Sequence, residues 1–131
     1  MTFPITGLYA ALLLLVAIVL INWVVKGRGI AKVGIGDGGN DILIRRMRTQ
    51  SNFVENAPLL LIVMGLMEAN GAASWLLHGF GIVLVLGRVV HPIGMTNKYP
   101  EMPFRVGGTI STLLLYAVAA IVLLWQAFAG L

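Results

Sequence analysis

Arg48, Gln50, Asn52 and Glu55 follow one another within RMRTQSNFVENAP, which runs directly into the apolar LLLIVMGLM. A guanidinium, two amides and a carboxylate at this spacing can hydrogen-bond an acidic or zwitterionic ligand, or bond to one another. At 100° per residue, Arg45, Arg48, Asn52, Glu55 and Asn56 occupy an arc of about 100° on one helix. Two further segments carry matching stripes. Arg88, His91 and Met95 recur at i, i+3 and i+7, and Arg105, Thr109, Thr112 and Tyr116 at i, i+4, i+7 and i+11. Guanidinium groups outnumber the one carboxylate in these stripes, Glu55, so the expected occupant is a polar, acidic, water-soluble ligand. A structural reading stands beside it: small membrane bundles hold helices together with buried polar contacts, and Glu55 paired with Arg48 or Arg88 would be one.

The elements that must position these stripes follow from composition. The chain has 131 residues, 59% hydrophobic and 11% charged, with a mean hydropathy of +0.94. A soluble domain carries roughly a quarter charged residues, and the apolar blocks here match the about 20 residues of helix that cross a bilayer. The expected fold is all-α: an integral membrane four-helix bundle forming a single domain over 1–131, with spans at about 5–25, 41–68, 73–95 and 103–128. MTFP has no basic segment ahead of the first apolar block, so that block is expected as a retained helix rather than a signal peptide. Pro4 suits a first helical turn, and Asn40 is placed to cap the second helix. Glycine-rich GRGIAKVGIGDGGN is expected as a loop, and Pro92 is expected to bend the third helix near its end. With no cysteine, the chain has no disulfide and no thiol nucleophile of its own, so sulfur chemistry would need a borrowed thiol.

Charge placement predicts orientation. All the Lys and Arg residues fall in or beside the first and third loops, from Lys26 to Arg48 and from Arg88 to Arg105. The positive-inside rule then makes loops 27–40 and 96–102 cytoplasmic and puts both termini on the opposite side. The same distribution explains the net charge of +4 without a nucleic-acid partner. About 20 residues counted back from Glu68 reach Thr49, so Gln50, Asn52, Glu55 and Asn56 lie at or inside the hydrocarbon boundary. Polar groups facing lipid there would cost several kcal/mol each. They are expected to face the bundle interior, a neighbouring subunit or a wet cavity, and with the stripes of helices three and four to enclose one cationic recess.

Other signals carry less. Gly34-Ile-Gly36-Asp-Gly-Gly39 satisfies G-x-G-x-x-G, but no strand precedes it as a dinucleotide site requires. His78 and His91 on one helix stand about 20 Å apart, too far to share an ion, so no metal site is expected. Trp23, Trp75 and Trp125 sit near span ends as an interfacial belt would, and Asn22 reads as a helix–helix hydrogen bond.

These residues also resemble a known family. Arg48-Thr-Gln50-Ser-Asn52-Phe-Val-Glu55-Asn-Ala-Pro58 is similar to the helix-two pattern of the MAPEG family, the membrane-associated proteins in eicosanoid and glutathione metabolism. GRVVHPIGM resembles its Arg-x-x-His stretch on helix three, and PFRVGGT carries its arginine at the start of helix four. GDGGN with SNFVENAP resembles the small bacterial YecN-like branch. The resemblance implies a homotrimer in the bacterial inner membrane, with glutathione as cosubstrate bound between adjacent subunits. By that likeness Arg48, Gln50, Asn52, Glu55, Arg88, His91 and Thr109 would bind glutathione, and Arg105 would face its thiol. The implied activity is that of a glutathione-dependent transferase or peroxidase acting on a hydrophobic electrophile or hydroperoxide. A thiol with a pKa of about 8.5 is mostly protonated at neutral pH, and a guanidinium beside it favours the thiolate. The likeness departs at Asn56 and Met95, where many family members have tyrosine; Tyr99 or Tyr116 could replace part of that lost hydroxyl chemistry. A noncatalytic lipid- or glutathione-binding protein of the same family is the alternative.

Overall fold

The computed structural model describes residues 2–96 and 101–130, apart from the side chains of Glu101 and Met102. Loop residues 97–100, including Lys98 and Tyr99, lie outside the described residues. Four helices follow in order: α1 Pro4–Ala31, α2 Asp41–Ala69, α3 Ser74–Gly94 and α4 Glu101–Ala129. All four are long and apolar enough to cross a membrane. At 1.5 Å per residue, the 29 residues of α2 extend about 43 Å, so its basic first turns reach beyond the hydrocarbon.

Local chemistry sets most helix ends. Pro4 opens α1. The Asn40 side chain accepts from the Leu43 N–H at 2.9 Å and starts α2, with Asp41 in its first turn against the helix dipole. Gly71, at φ 79°, makes the tight turn into α3. The end of α1 differs from expectation. The helix continues from Val25 to Ala31, through Gly27 and Gly29, and stops at Lys32 in a left-handed conformation (φ 54°, ψ 40°). Gly27 is a packing position rather than a break: a Cβ there would lie 3.0 Å from Arg46 Cδ and 3.2 Å from Leu43 Cδ1. Close seating of α2 repays the helical cost of glycine. Arg28 then holds the loop, donating to the Gly36 carbonyl at 2.8 Å and the Gly34 carbonyl at 3.3 Å.

α2 and α3 touch across the centre of the bundle. α1 packs against both from one side and α4 against both from the other, and among the described residues α1 and α4 have no contact. The apolar core fills the half farther from the basic loops. Tyr9 and Leu13 meet Leu60, Met64, Met67, Leu77, Phe80, Leu84, Leu115 and Ala119 there. Lipid tails are as apolar as these side chains, so helices associate through close packing and polar contacts rather than exclusion of water. Glycines supply the close packing. A Cβ on Gly81 would collide with the Tyr9 ring, and one on Gly108 would lie 2.9 Å from His91 Cβ. The end opposite the basic loops is tied by polar bonds. Glu68 accepts from the Ile5 and Thr6 N–H groups at 3.0 and 2.8 Å, and the Tyr9 hydroxyl lies 3.0 Å from His78 Nδ1.

Candidate functional site

The polar stripes occupy the half of the bundle nearer the basic loops, and helix packing sorts them onto two sides. Inward lies a network centred on Arg88, which is 3% exposed. Its Nη1 donates to Asn52 Oδ1 at 2.8 Å and more weakly to the Asn52 carbonyl at 3.5 Å. Its Nη2 donates to Thr112 Oγ1 and to the Gly108 carbonyl. Thr112 in turn donates to the Gly108 carbonyl at 2.8 Å. One cation of α3 thus bonds to both α2 and α4. The chain of bonds continues outward: Asn56 Nδ2 donates to the Asn52 carbonyl at 2.8 Å, and the Tyr116 hydroxyl donates to Asn56 Oδ1 at 2.9 Å.

Four neutral oxygens meet the Arg88 charge on the inside, and no carboxylate among the described residues bonds to it. Among the described residues of this cluster, the buried nitrogens Arg88 Nε and His91 Nδ1 have no hydrogen-bond partner. His91 is 7% exposed and lies against Gly108. The space bounded by Leu20, Thr49, Asn52, Arg88 and His91 admits no water-sized sphere. The expected recess is therefore not open within one protomer. Its inward members are packed against one another because Gly87 and Gly108 let α3 and α4 close over them.

Arg48 and Glu55 on α2, with Arg105 and Thr109 on α4, are exposed on the surface of the bundle. Thr109 Oγ1 bonds back to the Arg105 carbonyl at 3.1 Å. Arg48, Glu55 and the Arg105 guanidinium make no side-chain hydrogen bond or ion pair among the described residues. The pairing of Glu55 with Arg48 or Arg88 that a purely structural reading expects is absent. Gln50 is half-buried on a different side of α2, about 200° around the helix from Arg48. Sequence spacing foresaw the arc but not its division, and it gave no sign of the Gly108 acceptor or of the Glu68 and Tyr9–His78 contacts at the opposite end. Among the described residues Asn22 bonds only within its own helix, to the Ile18 carbonyl at 2.8 Å.

Chemically, the exposed set offers two cations, one carboxylate and one hydroxyl, at a level where a lone side chain facing lipid is costly. The inner set holds Asn52 and the three helices rigidly behind them. Among the described residues no group of three or more His, Asp or Glu side chains could hold a metal.

Fold and site together define a four-helix integral membrane protein with a polar girdle toward one membrane face. The MAPEG family model matches residues 6–125, and the chain belongs to that family. It is 37% identical over 94 residues to inner membrane protein YecN of Escherichia coli strain K12, a match covering 72% of each chain. The YecN of Escherichia coli O6:H1 matches to the same extent. No solved structure matches the chain significantly.

Proposed function

We propose that the protein is a glutathione-dependent transferase or peroxidase of the inner membrane, assembled as a homotrimer. The observation that carries this reading is the set Arg48, Glu55 and Arg105 on the outer side of α2 and α4, which has no partner among the described residues. Charged groups there need something to meet them, and a neighbouring subunit with an acidic peptide between the two would do so. Glutathione has two carboxylates and an α-amino group. Arg48 suits a carboxylate, Glu55 the ammonium, and Thr109 and Gln50 the peptide groups. Asn52, Arg88 and His91 form the wall behind them. With the basic loops on the cytoplasmic side, a cytosolic ligand would reach the site from water, and the hydrophobic second substrate from the bilayer.

Arg105 would hold the thiol proton off the sulfur by favouring the anion. In transfer, the thiolate sulfur forms a bond to the electrophilic carbon, and the displaced group or opened ring takes up a proton. In peroxidase chemistry, two glutathione molecules give the disulfide while the hydroperoxide becomes alcohol and water.

Glutathione titrated into nanodisc-embedded protein tests this reading. Thiolate absorbance and a rise in thermal stability that saturate together, with conjugation across an electrophile panel, are expected. No thiolate signal and no conjugation would overturn the enzyme reading. Asn56 and Met95, in place of hydroxyl side chains, favour a second reading, a noncatalytic binding protein; saturable glutathione binding with zero turnover would select it.

A further inference from the structure

A second feature of the bundle lies away from the α2 and α4 surface. α1 and α3 run parallel, and between them a groove of about 720 Å³ opens to the lipid side. Its walls are Leu15, Ile18, Val19, Val89 and Ile93, all at least 37% exposed. Apart from Arg88, the trough turns polar at the end nearer the basic loops, where Asn22, Lys26 and Thr96 line it beside Trp23. Lys26 is exposed and has no ion pair among the described residues. Asn22 and Thr96 each use one donor locally, on the carbonyls of Ile18 and Ile93 at 2.8 Å. The lysine ammonium is thus the free charge at the mouth. Arg46 adds positive potential from behind it, with its guanidinium 5.2 Å over the Trp23 ring and Nη1 2.9 Å from the Trp23 carbonyl.

We infer that the α1/α3 groove is a binding site for an anionic phospholipid of the leaflet at the basic end. One acyl chain lies along the apolar walls, and the phosphate is held by Lys26. The dimensions and the polarity gradient agree with this occupant. A volume of 720 Å³ falls within the about 300–1,000 Å³ of sites that hold small molecules. The one lining cation without a bonded partner among the described residues, Lys26, stands where a headgroup would be. Basic pockets between helices near a membrane face bind acidic headgroups, and Trp23 sits at the level that aromatic rings occupy in the interface. Arg88 also lines the groove, but its two terminal nitrogens are bonded inward to Asn52 and Thr112. The site does not depend on glutathione, and it uses a different pair of helices from the surface proposed for subunit contact.

Native mass spectrometry of the purified protein, offered phosphatidylglycerol and phosphatidylcholine in equal amounts, tests the assignment. The expected result is one phosphatidylglycerol retained per chain at about fivefold preference, which corresponds to ~1 kcal/mol for a lysine beside an acidic headgroup. Lys26→Gln is expected to bring the preference to parity. Lys32→Gln, which removes the same charge from the same end without lining the groove, is expected to leave it intact. Val19→Trp, which fills the trough at a lipid-exposed position, is expected to reduce retention of both lipids. Equal retention of the two lipids by the unaltered chain would overturn the proposal. So would a preference that survives Lys26→Gln, or one that falls as far in Lys32→Gln. Stronger retention of oleate than of phosphatidylglycerol would assign the groove to a free fatty acid instead and reject the phospholipid.

Discussion

The inward and outward sides of α2 carry similar side chains with opposite fates. Inward, Asn52 and Asn56 are bonded within the bundle: their side-chain oxygens receive the Arg88 guanidinium and the Tyr116 hydroxyl, and the Asn56 amide donates to the Asn52 carbonyl. Outward, one turn away in either direction, Arg48 and Glu55 are exposed and have no hydrogen bond or ion pair among the described residues. In a membrane this difference is informative. A polar group bonded within its protomer serves to hold the helices together, whereas one left open at this level requires a ligand or another subunit. The two sides should therefore respond to substitution in different measurements.

The sharpest break in that comparison is Arg105→Ala on the outward side. Loss of a donor that stabilises developing or resident negative charge costs roughly 10²–10³ in turnover. A drop of that order in conjugation rate is expected, with thermal stability in detergent unchanged. Comparable rates in Arg105→Ala and the unaltered protein would remove Arg105 from the chemistry. Next in size is Arg88→Leu on the inward side. Hydrogen bonds to a charged group contribute about 1.5–3 kcal/mol each, and this substitution strands the Asn52 and Thr112 oxygens. A loss of about 3 kcal/mol in unfolding free energy, present with or without glutathione, is expected from denaturant titration. If Arg88→Leu weakened only glutathione binding, the inward network would have to be reassigned to the ligand.

A smaller effect is expected for Glu55→Gln: about tenfold weaker glutathione binding by calorimetry, equivalent to ~1.4 kcal/mol, with the stability of the ligand-free protein unaltered. A stability loss without any affinity change would place Glu55 with the structural contacts. Smallest is Tyr116→Phe, which deletes one neutral hydrogen bond to Asn56 and should cost about 0.5–1.5 kcal/mol in stability. A larger effect on turnover than on stability would show that the Tyr116 hydroxyl reaches the reacting groups and replaces chemistry missing at Asn56 and Met95.

Most of the fold is written in local signals. Long apolar blocks set the spans, Pro4 and Asn40 set two helix starts, and each acts within one turn of chain. The end of α1 could not be read this way, because the role of Gly27 depends on the close approach of Arg46 and Leu43 from another helix. The site has the same character. Periodicity places Arg48, Asn52 and Glu55 on one arc of about 100°, but an arc that wide straddles the line between bundle interior and surface. Where that line falls depends on how closely α3 and α4 approach, which Gly87 and Gly108 decide. The Arg88 bonds to Asn52, Gly108 and Thr112 join residues from three helices, and no spacing within a helix encodes them.

The first helix is pinned to the second at both ends. Glu68 grips the amides of Ile5 and Thr6, and Arg46 grips the carbonyl of Trp23. α1 therefore cannot slide along its neighbour when the bilayer thins or thickens. It works as a fixed gauge, and mismatch with the surrounding lipid must be taken up by tilt of the whole protomer or by deformation of the lipid itself.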